Sequence, residues 1–210
     1  NTFGGAGFAK EMNNIFKEKY GENNTKFEAI NSMDHNKIGH KSIKSTIERM
    51  ALSHNDCRLY ALNNGYSHLL HLESDVLPEP NVIEELSFAD KLVVGALYDR
   101  DAGKSRRLMV QTQMKISPKH IMGENFEAGE DKYFVDGSLK KVASCGIGCI
   151  LIKREILEKY PFGFQKGREA HPDTIWTESL ANSGVDIYAH TGLLCEHENR
   201  AWGRFGSDFF

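Results

Sequence analysis

The chain has 210 residues, of which 40% are hydrophobic and 26% charged, and its net charge is −3. That is an ordinary globular balance, long enough for one substantial domain or two small ones, and it demands neither a nucleic-acid nor a membrane partner. No apolar stretch approaches the roughly 18 to 20 residues that span a bilayer, and no leader peptide opens the chain. Cys57, Cys145, Cys149 and Cys195 form no C-x-x-C pair. They read as free, mostly buried thiols of a reducing compartment, and their spacing gives zinc little support. The expected location is cytoplasmic, free or peripheral to a membrane.

In chain order, Asn1 to Gly7 is a glycine-rich loop. Phe8 to Tyr20 places Phe8, Met12, Ile15 and Phe16 near helical spacing, and Gly21 ends it. Phe27 to Ile30 reads as a short strand and Asn31 to Lys41 as a polar loop. Ile43 to Asn64 reads as a helix broken near Ser53-His54-Asn55. Leu69 to Leu72 is a buried strand, Asn81 to Phe88 a short helix after Pro80, and Leu92 to Tyr98 a second buried strand. Asp99 to Arg107 is a charged loop, Leu108 to Ile116 alternates as a strand does, and Ile121 to Asp131 is polar loop. Tyr133 to Val135 and Lys140 to Ala143 flank Asp136-Gly137, a hairpin signal. Ile147 to Ile152 is a strand, Lys153 to Tyr160 a short helix, Thr174 to Asn182 a helix closed by Gly184, and Val185 to Tyr188 a strand; a loop-rich remainder follows. Alternating strands and helices predict one α/β domain over 1–210, with helices on both faces of the sheet.

The run Leu69-Leu70-His71-Leu72-Glu73-Ser74-Asp75-Val76 carries the most chemistry. A buried strand here ends in two acids one residue apart, with Pro78 and Pro80 beyond. Ligands of open α/β sheets bind at the carboxyl ends of strands. Alternate residues of an extended chain face one way, so Glu73 and Asp75 can address a single point. Two carboxylates there suit a hard divalent cation that also holds phosphate oxygens, although an acidic turn after a strand is a common feature in itself.

Three segments then resemble one family. His54-Asn55 through Leu72-Glu73-Ser74-Asp75 resembles the helix, strand and D-x-D block of nucleotide-sugar glycosyltransferases of the GT-A fold, family 2 type. Ala143-Ser144-Cys145-Gly146-Ile147-Gly148-Cys149-Ile150-Leu151-Ile152-Lys153-Arg154-Glu155 is similar to their small-residue strand and following helix on the acceptor side. Pro172-Asp173-Thr174 through Gly184-Val185-Asp186-Ile187-Tyr188 to His197 resembles their "E-D" helix, "G-y-x-i-y" strand and late histidine. Order and spacing agree over roughly residues 40 to 200. Glu73 stands where the family usually has aspartate, His54 where an arginine often precedes the asparagine, and Pro172 in place of the "E-D" glutamate.

The resemblance implies a Rossmann-like, mixed but mostly parallel central sheet flanked by helices. The family's first strand would precede Asn1 and is missing from this chain. It implies a nucleotide-binding half over 1–99 and an acceptor-binding half with a closing loop over 100–210. The activity implied is metal-dependent transfer of a sugar from a nucleoside-diphosphate sugar to an acceptor hydroxyl, by one-step inversion. Mn²⁺ or Mg²⁺ would stabilise the leaving diphosphate. Asp75 is the expected direct ligand, Glu73 the group for the ribose or a metal-bound water, and His197 a further ligand that tilts the choice towards Mn²⁺. Asp173 occupies the position of the general base, and also suits the first turn of a helix. Asn1 and the loop to Gly7 are candidates to meet the nucleotide, and Asn55 and Arg58 to face the donor. Gly146 and Gly148 allow close backbone approach. Trp176 reads as core, or as a platform for a sugar. The basic loop of Arg100, Lys104, Arg106 and Arg107 suits a diphosphate or plain solvation. Arg200, Trp202 and Arg204 form a tail able to close over the donor.

The acceptor is left open among a glycan, a lipid-linked saccharide, a protein, a metabolite and a modified nucleic acid. Two other classes share these features. A sugar nucleotidylyltransferase would want an arginine in its glycine-rich opening, which has none here. A non-catalytic nucleotide-sugar or glycan-binding domain of the same fold would have lost its base, and Pro172 fits that reading.

Overall fold

The computed structural model describes residues 43–73, 75–101, 106–111, 113–116, 121–124, 134–164 and 170–197, together with residue 14. Apart from residue 14, these lie in one compact unit, Lys41–Phe210. The helix, strand and loop expected between Phe8 and Lys41, and the C-terminal tail with Arg200, Trp202 and Arg204, lie outside the described residues.

Helix α1 (Ile43–Asn63) runs unbroken through Ser53-His54-Asn55. Tertiary burial overrides the weak local propensity there: Ile47, Ala51, His54, Arg58 and Ala61 recur at helical spacing and are all buried. Gly65, at φ +75, ends it. The Gly65 amide donates to the Leu62 carbonyl and the Tyr66 amide to the Ala61 carbonyl, the paired bonds of a Schellman cap.

Strand β1 (His68–Leu72) follows, then the two-residue β2 (Val76–Leu77), helix α2 (Val82–Phe88) and strand β3 (Val93–Asp101). Short strands β4 (Arg106–Leu108), β5 (Val110–Gln111), β6 (Gln113–Ile116), β7 (Ile121–Glu124), β8 (Leu139–Val142) and β9 (Ser144–Cys145) come next. Strand β10 (Cys149–Lys153), helices α3 (Arg154–Lys159) and α4 (Pro172–Asn182), and strand β11 (Ile187–His197) complete the order.

The main sheet runs β1-β10-β3-β11-β2, with β4 added on β3 and β8 on β11. It is mixed. β3 and β11 are parallel, whereas β10 lies antiparallel between β1 and β3, so β1, β3 and β11 share one direction. A mostly parallel sheet was expected. Among the described residues antiparallel registers prevail, because β10 inserts between co-directional strands and β2, β4 and β8 each pair antiparallel. The charged stretch after Tyr98 is the β3–β4 hairpin. The polar stretch expected as loop contributes β7, which pairs with β6. The turn signal Asp136-Gly137 was expected to fold Tyr133–Val135 back on Lys140–Ala143; Tyr133 lies outside the described residues, and β8 pairs with β11. Asp136 accepts hydrogen bonds from the Ser138 amide and hydroxyl and from the Thr191 hydroxyl of β11, which redirects the chain. β11 also continues to His197, through residues expected as loop.

Apolar side chains cover both faces of the sheet. Val93, Leu97, Ile150, Ile152, Ile187 and Ala189 point to the face carrying Ile156, Leu157, Trp176 and Leu180 of α3 and α4. Val94, Ala96, Tyr98, Cys149, Leu151, Leu193 and Cys195 point to the other, against Val82 and Leu86 of α2. In β3 and β10 this is the alternation of strands buried on both sides. Trp176 is core: its indole N–H donates to the Tyr160 carbonyl at 3.0 Å and its ring stacks on Phe162. Cys145, Cys149 and Cys195 are free and buried, while Cys57 is exposed. No helix among the described residues is long and apolar enough to cross a membrane.

Two arginines join α1 and α3 reciprocally. Arg58 of α1 donates from Nε to the Leu157 carbonyl and from Nη2 to the Glu158 carbonyl, in the last turn of α3. Arg154 of α3 donates to the Leu62 and Tyr66 carbonyls at the end of α1. Each guanidinium thus meets the negative end of the other helix. Arg58 also donates to Asn55 Oδ1 at 3.2 Å. Donor contacts were expected of Asn55 and Arg58. Arg58 is instead spent on helix carbonyls, and Asn55 braces it.

Beneath this layer lies a buried imidazole pair. His71 Nδ1 is 2.7 Å from the Ile147 carbonyl, so it carries the hydrogen and donates. Its bare Nε2 then accepts from His54 Nδ1, also at 2.7 Å. Both rings are therefore neutral. Burial, then the neighbouring His71 and His171, push His54 down to about 3, and burial lowers His71 as well. The unfolded chain binds protons at these histidines near pH 6.5 and the folded chain resists them. Stability should therefore be full above about pH 6.5 and fall as pH drops towards 3, at about 1.4 kcal/mol per unit of depression. Denaturant melts across that window should show a steep acid slope that His54→Asn flattens, even though the variant is weaker at neutral pH.

Candidate active site

The carboxyl end of β1 carries Glu73 and Asp75 on a tight turn, closed by the Val76 amide donating to the Glu73 carbonyl at 3.2 Å. The turn feeds β2, whose Val76 pairs with His197 at the end of β11. This pairing brings Asp75 beside His197: Oδ2 lies 3.4 Å from the imidazole Nε2. The His197 side chain is only 9% exposed, and its ring edge meets Tyr98 at 5.2 Å between centroids.

His197 Nδ1 lies 2.6 Å from the Asp99 carbonyl. A carbonyl only accepts, so Nδ1 holds a hydrogen, and Nε2 is the ring nitrogen turned towards Asp75. Metal-binding histidines are commonly fixed in this way, with the non-ligating N–H tied to a backbone carbonyl. The 3.4 Å separation also suits adjacent ligands of one small cation, which stand about 3 Å apart at octahedral distances near 2.1 Å. The donor set of carboxylate and imidazole therefore fits Mn²⁺ or Mg²⁺, the imidazole inclining it to Mn²⁺. Glu73 was expected in the same ligand set. Among the described residues no three His, Cys, Asp or Glu side chains gather closely enough to enclose an ion. A cation held by Asp75 and His197 would complete its shell with substrate oxygens or water.

Glu73 is tied by its backbone rather than by its carboxylate. Its amide donates to the Gly148 carbonyl at 2.9 Å. Burial, then the charges of Asp75 and Asp173, push its carboxyl up to about 7, and His197 opposes the rise. A carboxylic acid poised near neutrality beside further acids is characteristic of functional sites.

Asp173 stands in the first turn of α4, after Pro172 at its start and the extended His171. Pro172 is favourable there, because the first helical residue needs no amide hydrogen and its φ is preset. The Asp173 carboxylate accepts from the Thr174 amide at 2.7 Å, so it is aimed by the helix start. Its charge is felt at Glu73, His71, Tyr98 and Cys145. Asp173 thus shares the neighbourhood of the acid-tipped turn, although the helix that carries it lies far along the chain. Asn1 lies outside the described residues, as do the side chains of the basic loop.

Sequence reasoning passed over Tyr98. It is buried in the second half of β3, two strands from β1. The space above Gly146 and Gly148 belongs to its phenol: a Cβ on Gly148 would stand 2.7 Å from the Tyr98 ring, and one on Gly146 would meet the hydroxyl. Both glycines are therefore required by close approach.

No protein-family model matches the chain. No curated protein matches it. Among solved structures, the crystal structure of A197 from STIV is similar, with 20% identity over 70% of this chain and a TM-score of 0.47. The chain spans 66% of that protein, just under two thirds of its length.

The raised Glu73 carboxyl has a measurable sign. The folded chain holds that proton more tightly than the unfolded one, so ionisation costs stability as pH rises from about 4.5 to about 7, and the cost stays above it. In the cation-free chain Glu73→Gln should raise stability at pH 8 by on the order of 2 kcal/mol, and leave it nearly unchanged at pH 4. Equilibrium denaturation at the two pH values checks this; equal effects at both would contradict it.

Proposed function

We propose that the chain is a glycosyltransferase of the GT-A type, moving a sugar from a nucleoside-diphosphate sugar to an acceptor hydroxyl with the help of Mn²⁺ or Mg²⁺. The observation that carries this reading is the approach of Asp75 to His197, with the imidazole fixed by the Asp99 carbonyl. The mixed sheet covered on both faces, and the acids at the carboxyl end of β1, are compatible with that fold.

Asp75 and His197 would hold the cation, Nε2 being the imidazole atom available to it. When bound, the cation supplies a Lewis acid and a template for the departing diphosphate. Glu73, which gives up its proton near neutrality, would reach the ribose or a metal-bound water. Asp173 would take the proton of the acceptor hydroxyl as that oxygen attacks the anomeric carbon. Its fixed place in the first turn of α4 suits a base that must be aimed before the acceptor arrives. One displacement with one base gives inversion at the anomeric carbon. Gly146 and Gly148 leave backbone where side chains would otherwise stand.

The test is a panel of nucleotide sugars with Mn²⁺, scored for sugar release and for transfer to supplied acceptors. Asp173→Asn should cut turnover by about 10²- to 10⁴-fold while donor binding, read by calorimetry, stays within about threefold. Asp75→Asn should weaken binding of Mn²⁺ together with donor. Saturable donor binding with no turnover in the unaltered chain would favour a binding domain. Sugar release that requires pyrophosphate would favour a nucleotidylyltransferase.

A further inference from the structure

Tyr98 contacts both halves of the site without belonging to either. Its hydroxyl accepts the Gly148 amide hydrogen at 3.0 Å. Gly148 in turn accepts, through its carbonyl, the Glu73 amide at 2.9 Å. The other side of the same turn is held by the Gly146 amide donating to the Met109 carbonyl at 2.7 Å, and by His71 donating to the Ile147 carbonyl. The Tyr98 ring packs T-shaped against the His197 imidazole. Its backbone carbonyl accepts the Met109 amide, and Asp99, the next residue, supplies the carbonyl that fixes the His197 tautomer. One side chain therefore touches the histidine directly and reaches Glu73 through a single residue.

We propose that Tyr98 is a positioning residue of the site, whose ring holds His197 facing Asp75 and whose hydroxyl sets the Gly146–Gly148 turn from which Glu73 is suspended. This rests on the reading of Asp75 and His197 as a cation pair, but its own geometry does not depend on which reaction follows. The hydroxyl spends one lone pair on Gly148 and keeps its own hydrogen to donate. Burial, then the neighbouring Glu73 and Asp173, make the phenol harder to ionise. Phenylalanine there would keep the ring against His197 and leave the buried Gly148 amide without its acceptor. Leucine would remove both functions.

The test uses the full chain without nucleotide. The ¹⁵N shifts of the His197 ring report its tautomer, and electron paramagnetic resonance titration reports Mn²⁺ affinity. The unaltered chain and Tyr98→Phe should show a single Nδ1–H tautomer, and Tyr98→Leu, if folded by circular dichroism, a mixture. Tyr98→Phe should nevertheless bind Mn²⁺ about tenfold more weakly, as loss of outer-shell partners commonly does. A folded Tyr98→Leu with an unaltered His197 tautomer would overturn the proposal. If that variant does not fold, an unchanged Mn²⁺ affinity in Tyr98→Phe overturns it. Should the unaltered chain bind no Mn²⁺ at millimolar concentration, the cation reading fails and the tautomer comparison alone decides the role of Tyr98.

Discussion

His197 owes its chemical identity to a backbone atom. The Asp99 carbonyl places a hydrogen on Nδ1, which leaves Nε2 as the ring atom facing Asp75 and able to meet a cation there. Reverse the tautomer and the imidazole would present an N–H to the carboxylate, a hydrogen bond rather than a ligand pair. The arrangement therefore depends on where β3 ends its buried run, since the residue after Tyr98 supplies the carbonyl. The β3–β4 hairpin continues that strand to Asp101 and keeps the carbonyl in place. The parallel register of β11 on β3, Cys195 opposite Tyr98, sets the histidine alongside it.

Around this bond the protein concentrates acids in a poorly solvated region and offsets them unevenly. Glu73 keeps its proton near neutrality because burial and two neighbouring carboxylates disfavour a third charge. The buried imidazoles of His54 and His71 lie on the other side of the Gly146–Gly148 turn and stay neutral for the opposite reason, since burial disfavours their cations. Two kinds of titratable group thus hold the same turn without adding a charge to it. The protonated Glu73 thus limits the negative charge that Asp75 and Asp173 already concentrate there.

The sequence made much of this legible, and the limits are physical. The acid-tipped strand could be read because apolar density, two prolines and an alternate spacing of acids agree at one place. The helix start at Asp173 could be read because a first-turn acid after proline has a local meaning, whereas its role as base came from the family resemblance alone. Helix α1 was read through its periodicity, but its continuity across Ser53-His54-Asn55 depends on burial contacts that no local propensity contains. The turn at Asp136-Gly137 was visible, but not its partner: the Thr191 hydroxyl that captures Asp136 lies far along the chain. Arg58 looked available because a lone arginine on a helix gives no hint of the carbonyls it will meet. Tyr98 was invisible for a similar reason. An aromatic residue in a buried strand reads as core, and it is core, until the two glycines beneath its hydroxyl are seen.

Between His190 and Leu194 the register of β11 on β3 slips. Before the slip, odd-numbered Ile187 and Ala189 face the layer of α3 and α4; after it, odd-numbered Leu193 and Cys195 face α2. In a regular strand those four side chains would all lie on one side. His197 shares the parity of Leu193 and Cys195, so the irregularity decides on which surface of the sheet the imidazole emerges. A regular β11 with identical residues would bury that ring among the helices of the opposite layer, out of reach of the acid at the tip of the first strand. The defect in the ladder is thus the step that converts strand order into chemistry.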